Sequence, residues 1–462
     1  MLFNSLLFLF FFLIVTSAYY LLPHKLRWIW LLAASCYFYM YFKPVYILII
    51  FFTIAVDYVA GLLIEQATGW HRKLWLLLSL ATNIGVLAFY KYFNFLAHNI
   101  NLLAGHWHGP QLPLLNIILP IGLSFHTFQA MSYTIEVYRG NYKAERHLGL
   151  YALYVMFYPQ MVAGPIERPQ HILPQLHKRH YFNQQTFITG IFLMCVGLFK
   201  KVVIADRLGL YVDPVFNNPH AHSAADLLIG TYLFAFQIYC DFSGYSDIAV
   251  GAALTLGIEL MKNFNQPYTA LNVSAFWQRW HISLSTWFRD YVYIPLGGNR
   301  KALMRTCLNL LVVFLISGLW HGANWKYLVW GGIHGCLLIA YQLMKRLGIR
   351  IEIPRMIKWL LTFNLICLAW VFFRANSVHE AFYIIHQICT LANLHYTARG
   401  IMQPAELYYC ALIIIALVVS EHYLSGYAQF SKAKLITASL LLFVGCYFLG
   451  VFNEAQFIYF QF

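Results

Sequence analysis

The sequence predicts an all-α protein that crosses a membrane many times. Of its 462 residues, 61% are hydrophobic and only 10% are charged, and the mean hydropathy is +0.61. Ordinary soluble domains are roughly 45–50% apolar and about 25% charged. Long apolar runs recur from one end of the chain to the other, and helices are the elements that satisfy their own backbone hydrogen bonds in lipid. We therefore expect a polytopic membrane protein without a soluble domain.

The predicted helices follow these apolar runs in chain order. A span needs about 20 residues, so we expect roughly 11–13 membrane-embedded helices, some of them short, tilted or re-entrant. The run at 224–258 is long enough for one element or two. The runs lie at 2–22, 28–42, 45–64, 74–90, 112–133, 148–163, 187–205, 224–258, 307–321, 327–344, 356–373, 405–424 and 433–452.

The charges indicate an orientation. No Lys or Arg precedes the first run, whereas Lys25 and Arg27 follow it, so the positive-inside rule places the N-terminus outside. The basic loops at 71–73 and 139–146 then fall inside. The same rule explains the net charge of +14, and an anionic cofactor on the inner face is the alternative reading. The nine cysteines are scattered singly, so we interpret them as small apolar residues and expect no metal site.

Two polar islands interrupt the first two thirds of the chain. Residues 157–169, FYPQMVAGPIERP, contain helix-breaking prolines and a glycine, which fits a loop at the membrane edge or a buried re-entrant segment. Residues 237–247 place Asp241 and Asp247 within an apolar run. Carboxylates at membrane depth are costly unless they are paired or wet. For this pair we favour a structural hydrogen-bond cluster beside a tunnel over direct chemistry.

The third island, residues 272–300, is the densest. Read as one helix, it is amphipathic, with two faces at helical spacing. Such a helix would lie at the membrane–water interface, either as an anchor or as a guide for a charged substrate. One face carries Trp277, Trp280, His281, Leu284 and Phe288, and the other carries Arg279, Ser283, Thr286 and Asp290.

His321 lies near the centre of an apolar segment, LNLLVVFLISGLWHGANWKYLVWGGIHG, with no ionisable side chain between Leu308 and Leu319. An ionisable ring is expensive at that depth, which makes it a functional-site hypothesis. A neutral imidazole there has the chemistry of a general base.

These motifs together resemble the membrane-bound O-acyltransferases. The segment WHISLSTWFRDYVYIPLGG is followed, 40 residues after its histidine, by the histidine of LWHG. FYPQMVAGPIERPQHILPQL and FQIYCDFSGYSDIAVG resemble further signatures of the bacterial branch that O-acetylates alginate and peptidoglycan or transfers D-alanine to teichoic acid. The resemblance covers the chain from about Ile118 onward.

The resemblance implies a ring of tilted helices around a central tunnel. It implies that His321 is the catalytic histidine and that His281 is the second family position, where other members have Asn or His. We accordingly divide a single domain, residues 1–462, into peripheral helices (1–110), a catalytic core (111–404) and C-terminal helices with an aromatic tail (405–462).

For this branch the resemblance implies cytoplasmic acetyl-CoA as the donor substrate, with no permanently bound cofactor. It also implies a periplasmic partner, such as an SGNH-type acetyltransferase or a polysaccharide-modification complex, in a bacterial inner membrane. We expect no nucleic acid partner. The residues we predict to contact substrate or donor are Arg279, Trp280, Arg289, Asp290, Trp320, Asn324 and Trp325.

The aromatic tail, residues 457–462, reads FIYFQF. It fits an interfacial anchor, but it also resembles a C-terminal motif that acts as an acyl relay in related systems. We therefore hypothesise that Tyr459 carries the acetyl group transiently, with His321 as the base.

Other functions remain open on the sequence. A D-alanyl transferase would use an acyl-carrier protein as donor. A secondary transporter also has broken helices and polar islands, although no inverted repeat is visible. A scaffold that only recruits a periplasmic acetylase is the third alternative. The identity of the acceptor polysaccharide is also left open.

Overall fold

The computed structural model describes residues 1–106, 109–162, 164–300, 302–349, 352–391, 393–424, 426–452 and 458. Within these ranges the regular structure is helical, which confirms the predicted all-α class. Eight of the described helical segments are long and apolar enough to cross a membrane. The chain forms two compact units, Met1–Ile191 with Ala249–Met261, and Phe192–Ile248 with Lys262–Phe462.

The first unit contains the N-terminal helices. Several begin at residues suited to a helix N-terminus: the side chain of Ser5 accepts a hydrogen bond from the amide of Phe8, and Pro23 precedes the second helix. Its helices are α1 (Leu6–Leu21), α2 (His24–Met40), α3 (Ile47–Gln66), α4 (Gly69–Leu87), α5 (Phe93–Gly105), α6 (Leu123–Arg139), α7 (Leu148–Met156), α8 (Tyr158–Met161) and α9 (Pro169–His177).

A buried polar cluster joins three helices of this unit. The carboxylate of Asp57 on α3 accepts hydrogen bonds from Ser79 (2.6 Å) and Asn83 (2.9 Å), both on α4. Ser79 in turn lies 3.0 Å from the hydroxyl of Thr134 on α6. Buried polar groups need such partners, so this cluster fixes how the three helices pack.

The second unit contains the other polar islands. Helix α10 (Gln184–Phe199) enters it from the first unit and continues as a π-helical segment, Lys200–Ala205. Its further helices are α11 (Asp206–Asn217), α12 (Ala224–Thr255), α13 (Val273–Trp277), α14 (Ile282–Phe288), α15 (Leu303–His321), α16 (Trp325–Arg346), α17 (Arg355–Arg374), α18 (Val378–Thr390), α19 (Pro404–Leu424) and α20 (Lys432–Leu449), and α12 returns to the first unit at its end.

Two predictions of helix extent were wrong. The run at 112–133 becomes helical only at Leu123, because Pro113, Pro120 and Gly122 prevent an earlier start. The third island is not one helix. It forms α13, a turn and α14, because His281 adopts a left-handed conformation with φ of 43°. The run at 224–258 forms one helix.

Candidate active site

Two closely packed helices carry the central histidine. Helices α15 and α16 touch at Gly318 and Gly331, where an added Cβ would lie 2.2 Å from the carbonyl oxygens of Tyr327 and Phe314 respectively. Only glycine permits this approach. His321, at the end of α15, and His334, on α16, therefore face one core.

His321 is buried in aromatic rings. It is 4% exposed, and its ring centroid lies 4.9 Å from that of Trp320, 5.0 Å from Trp330 and 5.3 Å from Phe373. These rings exclude bulk water and strengthen the electrostatic interactions of any polar group placed among them. The sequence prediction that this ring occupies a protein interior agrees with its position.

His281 reaches the same core from the turn between α13 and α14. It is 1% exposed, and its ring packs 4.6 Å from Phe242 and 6.0 Å from Trp320. Asn263 holds the turn: its carbonyl accepts the Ile282 amide at 2.8 Å. The predicted pair of histidines is thus brought together, with Trp320 between them.

A third histidine, which the sequence analysis did not single out, belongs to the cluster. His334 is fully buried, and its Nδ1 accepts a hydrogen bond from Nε1 of Trp277 at 3.3 Å. The indole nitrogen only donates, so the neutral His334 ring carries its proton on Nε2. His334 lies 4.9 Å from Trp330, which also contacts His321. The signal was present in the sequence, since GGIHG places a second histidine in an apolar helix.

The rings of His281, Trp320, His321, Trp330 and His334 form a continuous row, which we call the histidine cluster. A cavity of about 370 Å³ lies on the far side of Trp277 and Phe314, and none of the three histidines lines it. Trp277 and Phe314 line this cavity and also contact His334, and Ser317 lines it one helical turn before His321. The walls are mainly apolar, and Arg289 contributes a cation. Such a cavity suits a ligand that is largely apolar with one charged end.

The other predicted contact residues divide into two groups. Trp280 and Trp320 are buried in the aromatic core. Asn324 and Trp325 are exposed at the start of α16, where Asn324 caps the helix by accepting the Lys326 amide.

The predicted polar contacts lie on the periphery of this unit. Arg289 is exposed and pairs with Asp290 at 2.8 Å. Arg279 donates to the hydroxyl of Thr269 at 2.6 Å. Of these three, Arg289 lines the cavity.

The two carboxylates of the second island are paired with lysines. Asp241 lies 2.6 Å from Nζ of Lys201, and Asp247 lies 3.0 Å from Nζ of Lys200. The π-helical segment presents both lysines to α12, and Gly244 allows the approach, because a Cβ there would lie 2.7 Å from the carbonyl oxygen of Gly197. These ion pairs agree with the interpretation of this island as a structural cluster and not as a site of direct chemistry. The lysines were missed because the run at 187–205 is otherwise apolar.

The described residues of the proline-rich first island, 157–162 and 164–169, are buried in the first unit except for the half-buried Arg168, so they do not lie on an exposed edge. Glu167, fully buried, accepts the amide of Met261 at 2.6 Å and contacts Nδ1 of His171 at 2.7 Å. The hydrogen bond to this carboxylate raises the pKa of His171 above its ordinary value. The island thus anchors residue 261 to α9.

Tyr459 lies outside the described residues. In the described part of the chain, no group of three His, Cys, Asp or Glu side chains is arranged to hold a metal ion.

Comparison with known proteins places this core in a family. The sequence profile of the membrane-bound O-acyltransferase family matches residues 146–379, which include all three histidines. The chain is 34% identical to the peptidoglycan O-acetyltransferase of Helicobacter pylori, over 100% of this chain and 98% of that protein. It is 39% identical to a protein named probable alginate O-acetylase of Pseudomonas aeruginosa, over 82% and 73% of the two chains. It is 27% identical to the teichoic acid D-alanyltransferase of Bacillus subtilis, over 59% and 72%.

Proposed function

Because the chain belongs to the membrane-bound O-acyltransferase family, we propose that it moves acetyl groups from cytoplasmic acetyl-CoA across a bacterial inner membrane for O-acetylation of an exported polysaccharide. It is a multi-pass membrane acyltransferase. The observation that carries the proposal is the burial of His321 among the aromatic rings of Trp320, Trp330 and Phe373. The names of the two relatives at 34% and 39% identity support acetyl as the group and a polysaccharide as the acceptor.

The chemistry needs a base and an apolar site. In our proposal the acceptor hydroxyl gives its proton to the neutral imidazole of His321, and its oxygen attacks the thioester carbonyl. The tetrahedral intermediate collapses, the carbon–sulfur bond breaks, and the imidazolium returns the proton to the departing thiolate. CoA leaves as the free thiol, and the acetyl group is held as an ester.

The first acceptor in this scheme is the hydroxyl of Tyr459. A periplasmic SGNH-type acetyltransferase or a polysaccharide-modification complex then takes the acetyl group from the tyrosine ester. The acceptor of that second step is an alginate-like exopolysaccharide or peptidoglycan. The 370 Å³ cavity supports the scheme because two of its lining residues, Trp277 and Phe314, contact His334. Arg289, which pairs with Asp290, also lines it and suits a phosphate of CoA.

Purified protein in lipid nanodiscs, incubated with acetyl-CoA, tests the chemistry. We expect His321→Ala to lower thioester consumption by about 100-fold or more, as removal of a general base does. His379→Ala is the control, because His379 is exposed on α18, and it should keep the wild-type rate. Normal polysaccharide acetylation in cells that carry folded His321→Ala would instead indicate a scaffold or a transporter.

The donor is tested separately. Acetyl-CoA and a D-alanyl thioester of an acyl-carrier protein are offered to the same wild-type preparation. Consumption of acetyl-CoA alone supports the proposal. Consumption of the D-alanyl thioester alone would contradict it and would assign the chain to the D-alanyl branch.

A further inference from the structure

A second cavity, of about 270 Å³, is lined by residues of the first unit. It lies where α2 and α7 begin and where α9 ends. The cations Lys25, Arg27 and Lys178 line it, whereas none of its described lining residues is an Asp or a Glu. A concave site with charges of one sign concentrates ions of the opposite sign. This cavity, which we call the basic cavity, therefore favours an anion.

Arg27 is the buried cation of the basic cavity. It is 9% exposed, and its guanidinium donates to the carbonyl oxygens of Leu22 at 3.1 Å and of His180 at 2.5 Å. It also lies 4.7 Å from the ring centroid of Tyr19. These partners carry no formal charge, and in the described part of the chain no carboxylate forms an ion pair with Arg27. Because a buried charge is costly without a counter-charge, an anion bound in the cavity would stabilise this side chain.

The carboxylate of Glu145 is engaged beside the cavity and is not part of its lining. Glu145 is 7% exposed, and it accepts Nε2 of His177 and the backbone amide of His147, both at 2.8 Å. The ring of His147 accepts the Leu150 amide on Nδ1 at 3.1 Å, so in its neutral form it keeps its proton on Nε2. Glu145 thus serves the two histidines, and His147, which lines the cavity, carries an N–H donor.

The remaining lining is largely apolar and lies at the end of an apolar helix. Leu31, Leu153 and Ile258 belong to this part of the lining. Helix α1 ends at Leu21, which is 86% exposed, and Lys25 follows four residues later. A change from apolar to basic residues marks the membrane–water boundary, where the phosphates of lipid head groups lie. An anion that fits both parts of the lining at this boundary is a phospholipid.

We propose that the basic cavity binds the phosphate of an anionic phospholipid, with Arg27 as the buried cation and the exposed Lys25 and Lys178 as its outer contacts. The head group contacts the cations, and the first carbons of the acyl chains contact the leucines. This binding does not depend on acyl transfer, so it stands or fails apart from the proposed function. Inorganic phosphate and CoA carry the same chemical group and are therefore included in the test.

Lipid titration tests the ligand. Delipidated protein in detergent is titrated with phosphatidylglycerol or with phosphatidylcholine of the same acyl chains, and native mass spectrometry counts the bound lipid. We expect phosphatidylglycerol to bind about tenfold more tightly, because its head group has a net negative charge and that of phosphatidylcholine has none. Equal affinity for the two lipids would overturn the proposal. Saturation by inorganic phosphate or by CoA, without binding of phosphatidylglycerol, would also overturn it and would assign the cavity to a soluble phosphate compound.

Two double variants of equal net charge test the place of binding. Lys25→Gln with Lys178→Gln removes the exposed cations of the cavity. Lys73→Gln with Lys143→Gln is the control, because these exposed lysines do not line it. We expect the first variant to lose about tenfold or more in affinity for phosphatidylglycerol, since each basic residue near an anionic lipid is worth about a fivefold change. The control should stay within twofold of the wild type, and equal losses in both variants would overturn the site.

The buried cation is tested by Arg27→Gln, with the unfolding temperature measured beside lipid binding because this change also removes the hydrogen bond to His180. Folded Arg27→Gln should lose phosphatidylglycerol binding by about tenfold or more, as expected when a charged partner of a phosphate is removed. Wild-type affinity in this variant would overturn the role of Arg27. If Arg27→Gln does not fold, the two lysine variants decide the proposal.

Discussion

His281 has a backbone conformation that few residues adopt without a cost. Its φ of 43° lies in the left-handed region, where a side chain with a Cβ costs about 1–2 kcal/mol, although His, Asn and Asp occur there more often than other residues. This conformation ends the α13 turn and turns the imidazole toward Phe242. The family resemblance identified the residue, but a helical reading placed it on the wrong kind of element.

The strain at His281 predicts an unusual order of stability. Both His281→Ala and His281→Gly remove the ring, but only glycine adopts a positive φ freely. We therefore expect His281→Gly to unfold at the same temperature as His281→Ala or higher, the reverse of the order in a regular helix, where glycine is worse by about 0.5–1 kcal/mol. Thermal unfolding in detergent measures this, and a clearly more stable alanine variant would show that the strain is not important.

The residues that sequence reasoning missed share a physical cause. Lys200 and Lys201 lie in an otherwise apolar run. Their structural role depends on ion pairs with Asp247 and Asp241, some 40 residues away in the chain. His334 depends likewise on the distant indole of Trp277. Periodicity reports which face of an element is apolar, whereas pairing across elements is decided by tertiary packing.

At the scale of elements, apolar runs located most of the described long helices and missed the amphipathic ones. Helices α9, α11 and α18 have a polar face and contain or adjoin charged residues, so a hydropathy reading passes over them. Helix α5 follows α4 through a π-helical segment and has no apolar run of its own in our reading. Length and mean hydropathy therefore predict spans better than they predict shorter connecting helices.

The packing of α15 on α16 predicts different effects at two neighbouring glycines. At Gly331 an added Cβ would clash with the Phe314 carbonyl oxygen at 2.2 Å, whereas at Gly332 the nearest atom is a Leu315 methyl at 3.8 Å. We expect Gly331→Ala to separate the helices and displace His334. Gly332→Ala should be neutral or stabilising, since alanine favours a helix by about 1 kcal/mol.

Size-exclusion profiles and unfolding temperatures in detergent compare these two variants. Gly331→Ala should aggregate or unfold at a clearly lower temperature and should lose acetyl-CoA consumption, while Gly332→Ala should retain both properties. Equal behaviour of the two variants would show that close backbone contact does not hold the pair together.

At the scale of the molecule, the sequence predicted the all-α class, which the structure confirms, and the family, which the family profile and the relatives confirm. It did not predict that the described residues form two compact units. The second unit combines Phe192–Ile248 with Lys262–Phe462. A reading along the sequence treats these two parts of the chain as separate. The division of a single domain at 110 and 404 therefore stays a prediction.

The first unit brings the basic loops of the chain together at one end. At one end the basic loops meet: Arg72 donates to the carbonyl of Val137 at 3.1 Å, and Arg146 pairs with Glu65. At the other end, turns of low charge meet: the hydroxyl of Tyr46 donates to the carbonyl of Ile118 at 2.7 Å. Loops counted as inside by charge thus lie at one end, and the side of the membrane that this end faces stays a prediction.

This arrangement predicts which sites are accessible from outside the cell. In a cysteine-free background, Lys43→Cys and Lys143→Cys place single thiols at exposed positions, one in the low-charge turn and one in the basic loop. A membrane-impermeant maleimide applied to intact spheroplasts should label only position 43, and permeabilisation should expose both. The basic loop should stay inside because moving lysine and arginine across the membrane is unfavourable. Labelling of position 143 in sealed spheroplasts, with position 43 protected, would invert the orientation and place the basic loops outside.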